Sequence, residues 1–154
     1  MQELLTWLQG SSLGELMRSL GVWTYGLVNL VHILSVATLF GAVLMLDLRL
    51  LGAWRRVPLS ALERPAITLA IIGFCCAVAS GACLIVTNAS DYAGNPFLLI
   101  KFAAIGLALL NAAIVVSLPA WRVRSVEPLP PAHERALRIG GGASLACWLT
   151  AVAA

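Results

Sequence analysis

Four stretches of this chain are apolar at almost every position: about 22–46, 65–87, 97–117 and 139–154. Asp and Glu stay at their edges. Runs of roughly 20 apolar residues have the length that crosses the hydrocarbon core of a bilayer as a helix. The pattern predicts an all-α integral membrane protein, one four-helix bundle occupying residues 1–154, with little chain left for a soluble domain. The last run is short, because Ile139 to Ala154 spans only about 24 Å of helix against a core of ~30 Å. Either that helix reaches back through Ala132 to Arg138, or the chain continues past Ala154. The stretch Glu127 to Pro131 (EPLPP) is too rich in proline for helix and reads as a linker.

Residues 1–21 lack the basic start of a signal peptide. Their apolar positions, Leu4, Leu5, Trp7, Leu8, Leu13, Leu16 and Leu20, suit a short amphipathic helix broken near Gly10. It is expected to lie in the outer interface, with Trp7 and Trp23 at headgroup depth. An apolar flap packed on the bundle is the alternative.

Composition sharpens the membrane reading. Of the 154 residues, 60% are hydrophobic and 11% charged, where a soluble domain carries about 25% charged residues. The net charge of +3 does not signal nucleic acid, because the basic residues are grouped by loop. Arg49, Arg55, Arg56 and Arg64 lie between the first two spans, and Arg122, Arg124, Arg135 and Arg138 between the last two. The connection from Asn88 to Pro96 carries only Asp91. By the positive-inside rule both arginine-rich loops face the cytoplasm, so the N-terminus and C-terminus lie outside. Cys75, Cys76, Cys83 and Cys147 fall within spans and form neither a disulfide framework nor a zinc pattern. Buried free thiols are expected there.

Small residues mark expected helix contacts: Gly73, Ala77 and Gly81 on the second span, Ala104, Ala108 and Ala112 on the third, and Gly140 to Ser144 on the fourth. Lipid tails are as apolar as leucine, so close packing must hold the helices together.

Two ionisable groups within spans are candidates for chemistry. His32 is flanked by ten or so uncharged residues on each side, about 15 Å along the helix from Val22. Helical periodicity places Tyr25, Asn29, His32 and Ser35 on one arc, and a polar stripe on a membrane helix normally faces the protein interior. Three readings stay open for His32: a structural histidine bonded across helices, a haem ligand, or a group passing protons or metal. Met45 lies on the same helix and His133 in the expected cytoplasmic loop, so neither can be a second axial ligand. A haem would be five-coordinate, or take Lys101, or take a ligand from another chain. Lys101 enters the third span about four residues from its start, either snorkelling to the headgroups or neutralising an anion such as a haem propionate or a quinone oxygen. Asn111 shares its side of that helix. Asp47-Leu48-Arg49-Leu50-Leu51-Gly52 closes the first span and reads as an interface anchor, with Gly52 letting the chain turn.

The segment from His32-Ile33-Leu34 through Leu39-Phe40-Gly41 to Asp47-Leu48-Arg49-Leu50-Leu51-Gly52 resembles the first-helix signature of a group of uncharacterised small bacterial four-helix inner-membrane proteins. The third-span pattern Asn95-Pro96-Phe97, Lys101 and Asn111-Ala112 is similar to that group as well. More distantly, a histidine in helix one and a lysine in helix three resemble HemJ-type protoporphyrinogen oxidases and CopD-type copper-resistance proteins. The first of these implies a b-type haem, the second copper handling.

Together these readings predict a small redox-associated subunit of the bacterial inner membrane, serving electron transport. His32 would bind haem b, with Lys101, Tyr25, Asn29 and Asn111 around the cofactor and a quinone as the other candidate ligand. The expected partners are the lipid bilayer and other membrane subunits or further copies of the chain. A cofactor-free anchoring or assembly subunit is the alternative, and copper handling a third reading.

Overall fold

A computed structural model describes residues 7–89, 94–124 and 129–154. Leu4, Leu5, Asp91 and Glu127 lie outside the described residues. All regular structure among the described residues is helical: α1 (Ser12–Ser19), α2 (Gly21–Leu51), α3 (Leu59–Thr87), α4 (Pro96–Ser117), α5 (Pro119–Arg122) and α6 (Pro131–Ala153). The four long helices have 31, 29, 22 and 23 residues, and each is long and apolar enough to cross a membrane. The chain is a multi-pass, all-α membrane protein.

Local chemistry explains the boundaries. Pro96, Pro119 and Pro131 each open a helix, where the missing N–H would have had no helical partner. Because α6 starts at Pro131, it does reach back through Ala132 to Arg138, and its 23 residues give about 34 Å. Ser11 caps α1, its Oγ accepting from Gly14 N at 3.3 Å. Gly21, at φ +78°, makes the turn from α1 into α2. At the other end of α2, Gly52 adopts φ +109°, Ala53 N donates to Leu48 O at 2.8 Å, and Gly52 N donates to Arg49 O at 3.1 Å. That pair of bonds is a Schellman stop, in keeping with the turn expected at Gly52.

Within each long helix the less exposed positions alternate three and four residues apart. On α2 they are Val28, His32, Ser35, Leu39, Ala42 and Leu46; on α3, Leu59, Glu63, Ala66, Ala70, Gly73, Ala77, Ser80 and Leu84. The third and fourth long helices follow suit, with Lys101, Ala104, Ala108, Asn111 and Val115, and with Leu137, Gly141, Ser144, Trp148 and Ala151. This 3.5-residue spacing is that of a coiled-coil seam. It also explains a departure from expectation. Ala104 and Ala108 are buried, but Ala112 is exposed, because a strict four-residue row drifts off the seam that continues at Asn111 and Val115.

The chain divides into two compact units, Met1–Leu39 with Ile71–Pro96 and Phe40–Ala70 with Phe97–Ala154. In the first, α2 and α3 pack backbone to backbone: a Cβ on Gly73 would lie 2.7 Å from Leu39 N and 2.9 Å from Ser35 O. Here α1 packs through buried Gly14 and Met17, and a Cβ on Gly14 would lie 3.0 Å from Val86 O. Its Leu13, Leu16 and Leu20 remain exposed, as do Trp7 and Trp23. So α1 packs on one face and carries exposed leucines on the other. In the second unit all four long helices contribute to a core of Leu50, Leu59, Val115, Ala120, Trp121 and Leu137.

Candidate functional site

His32 projects from α2 onto α3. Its Nδ1 lies 3.0 Å from Ala77 O and 3.1 Å from Ser80 Oγ. The Ser80 hydroxyl donates to Cys76 O at 2.6 Å, so its proton is already committed, and a carbonyl can only accept. Both neighbours of Nδ1 are therefore acceptors, and Nδ1 carries the proton. In the neutral ring that leaves Nε2 with its lone pair. Nε2 is neither buried nor hydrogen-bonded among the described residues. Gly81 makes room for the imidazole, since a Cβ there would lie 3.0 Å from His32 Cε1.

Ala77 and Gly81 belong to the small-residue row visible in the sequence, which foretells close approach but not a partner for His32. Ser80 does not figure in that row. Its signal is the three-residue step from Ala77, which keeps it on the same seam.

Tyr25 is half-exposed and Asn29 is exposed, along the same helix as His32. The expected stripe therefore splits: His32 and Ser35 face α3, whereas Asn29 turns outward. Ser35 returns its hydroxyl proton to Val31 O at 2.7 Å. The Asn29 amide makes no hydrogen bond among the described residues. An exposed amide within a membrane span is costly without a partner.

Lys101 and Asn111 belong to the other unit. Asn111 Nδ2 donates to Gly140 O at 3.0 Å, clasping α4 to α6, so its donor is already used in holding helices together. Lys101 is half-buried on the same seam, and its ammonium forms no ion pair or hydrogen bond among the described residues.

Several polar groups sit elsewhere than expected. Asp47, in the segment read as an interface anchor, is buried, hydrogen-bonded with Ser144, and its Oδ2 has no partner among the described residues. The close approach of α6 at Gly141, whose Cβ would lie 3.2 Å from Asp47 O, encloses it. His133 sits in the first turn of α6 rather than in a loop, with Nδ1 buried and unpartnered among the described residues. Glu63 is buried and forms a bidentate pair with Arg124, whose Nη2 donates to Glu63 Oε1 at 2.8 Å and whose Nε donates to Oε2. The Arg124 guanidinium also lies 4.5 Å from the Trp121 ring centroid. This pairing joins residues 61 positions apart and leaves no local trace in the sequence.

The four cysteines are free, as expected, but Cys75 and Cys76 are exposed and Cys83 and Cys147 half-buried. They lie on the outward side of helices whose seams take Gly, Ala and Ser instead. No group of three His, Cys, Asp or Glu side chains that would hold a metal ion gathers among the described residues.

Compared with known proteins, the chain matches no protein-family model, no curated protein and no solved structure.

Proposed function

We propose that this protein is a small redox-associated membrane subunit in which His32 binds a b-type haem through Nε2. The observation that carries this reading is the state of the His32 ring, with Nδ1–H held by Ala77 O and Ser80 Oγ and Nε2 left as an open base. Metal-bound histidines characteristically donate their other ring N–H to a carbonyl or another acceptor, which fixes tautomer and orientation. A haem asks for only one side chain here, because the macrocycle supplies its other donors. Outward-facing Asn29, with Tyr25 one turn before it, offers polar contacts beside that position. Bound haem would supply one-electron transfer, while the chain's own residues hold the imidazole and keep its lone pair directed outward.

The second reading, a cofactor-free anchoring subunit, has its own support. The exposed Asn29 and the open Nε2 would equally be satisfied by polar groups of another membrane subunit or a second copy of the chain.

We place the protein in a bacterial inner membrane with both termini outside, on the strength of the arginines in the two loops. A cysteine introduced at Asp91 in a variant without native cysteines should react with an impermeant thiol reagent added outside cells. One introduced at Arg122 should not; the reverse pattern overturns the orientation.

The haem reading is tested by absorption spectroscopy of protein purified in mild detergent. A Soret band that shifts on dithionite reduction is expected, and His32→Ala should abolish it while leaving the protein folded. A folded, haem-free wild type supports the anchoring reading, and an unchanged spectrum in His32→Ala removes His32 from the site.

A further inference from the structure

The second unit contains a cavity of about 470 Å³ at the arginine-rich end of its helices. Its volume falls in the ordinary range of small-molecule sites, about 300–1,000 Å³. Its lining combines the arginines Arg49, Arg55 and Arg124 with the leucines Leu50, Leu59, Leu129 and Leu137. We propose that this cavity binds the phosphate diester of an anionic phospholipid, with the guanidinium groups on the phosphate and the leucines against its glycerol and first methylenes.

The arginines are arranged for the task. Arg124 is oriented by its bidentate pair with Glu63 and by the Trp121 ring, so little freedom remains to be lost on binding. Arg49 is braced by a 2.8 Å bond from its Nε to Val57 O. At the rim, Glu134 Oε1 holds Arg138 at 2.7 Å and Arg55 at 3.6 Å, so the carboxylate among the described lining residues is offset by two guanidinium groups. Arg55 is 65% exposed at its side chain and so within reach of a ligand at the rim. Planar guanidinium groups match phosphate oxygens in pairs, which a lysine cannot do.

The wider charge balance agrees. From Asp47 to Arg64 and from Arg122 to Arg138 the chain carries eight arginines against four acidic residues, while the rest of the chain has two basic and three acidic residues. Basic pockets between membrane helices on the cytoplasmic side are suited to lipid headgroups. An inorganic anion would use the arginines and none of the apolar lining. A phospholipid headgroup, already anchored in the bilayer, uses both. The proposal does not depend on whether His32 carries haem.

The test is thermal unfolding of the detergent-solubilised protein titrated with dioleoylphosphatidylglycerol, dioleoylphosphatidylcholine or inorganic phosphate. Phosphatidylglycerol should raise Tm saturably, and the other two should not. Arg55→Gln removes one charge-assisted contact and should raise the half-saturating lipid concentration about tenfold. Arg56→Gln removes the same charge from an exposed neighbour outside the cavity and should leave it within about twofold. Leu129→Trp, which adds apolar bulk to the lining without altering any charge, should abolish the response and decides the matter if Arg55→Gln does not fold. Equal losses in Arg55→Gln and Arg56→Gln would reveal only a diffuse field and overturn the site. An equal response to inorganic phosphate overturns the lipid assignment, and a response to phosphatidylcholine, or none at all, overturns the proposal.

Discussion

In the unit formed by Met1–Leu39 and Ile71–Pro96, two helices meet across glycine, and the groups crossing the seam are an imidazole, a hydroxyl and a carbonyl. In the unit formed by Phe40–Ala70 and Phe97–Ala154, bulky side chains such as Leu50, Trp121 and Leu137 fill the contact. Ion pairs there join Arg124 with Glu63 and Glu134 with two arginines. The first unit leaves Nε2 of His32 and the Asn29 amide open among the described residues; the second spends Asn111 on Gly140 O but leaves the Lys101 ammonium, Asp47 Oδ2 and His133 Nδ1 without partners among them. The contrast separates two uses of a polar group in a membrane protein. One satisfies a neighbour and holds helices together; the other is fixed on one side and left available on the other. Only the second is a natural candidate for chemistry.

The largest expected effect lies in the second unit. Arg124→Ala should strip the buried Glu63 of its partner and destabilise the protein by about 3 kcal/mol, measured by denaturation in detergent. A loss under about 1 kcal/mol would mean that this pair behaves as an exposed one.

Next comes the glycine seam of the first unit. Gly73→Ala drives a Cβ against backbone atoms of α2, which cannot rotate away, and should cost about 2 kcal/mol. Gly106→Ala meets nothing within 4 Å and should be neutral or stabilising, by up to about 1 kcal/mol. Equal effects of the two would refute the close approach of α2 and α3.

The smallest effects sharpen the comparison most. Ser80→Ala and Asn111→Ala each remove one interhelical hydrogen bond and should cost about 0.6 kcal/mol. If His32 ligates haem, Ser80→Ala alone should also shift the midpoint potential, because it weakens the hold on Nδ1–H. Parallel behaviour of the two variants in both measurements would make His32 a structural residue like Asn111.

Much of this architecture is legible in the amino-acid sequence. The long apolar runs mark the four spans, and the reach of α6 back to Pro131 is one of the two alternatives that the shortness of its apolar part leaves open. His32 stands out because an ionisable group is rare at that depth. Its partners do not, since Ala77 O is backbone and Ser80 is one of several serines in spans. Asp47 misleads because an acid next to Arg49 at a span's end looks like an interface anchor, and only Gly141 of α6, more than ninety positions later, encloses it. The arginines point to a membrane side, but not to a cavity whose lining they share with leucines.

The number of long helices and the membrane class follow from sequence alone, because transfer into hydrocarbon depends on the composition of each segment and hardly at all on its neighbours. Which side of each helix faces its partners is decided only by tertiary structure. In water a helix declares its inner face by hydrophobicity, but here the lipid-facing and protein-facing sides are equally apolar. The seam is chosen by shape, by where Gly73 admits a backbone and Gly81 an imidazole, and shape is complementary only once both surfaces are present.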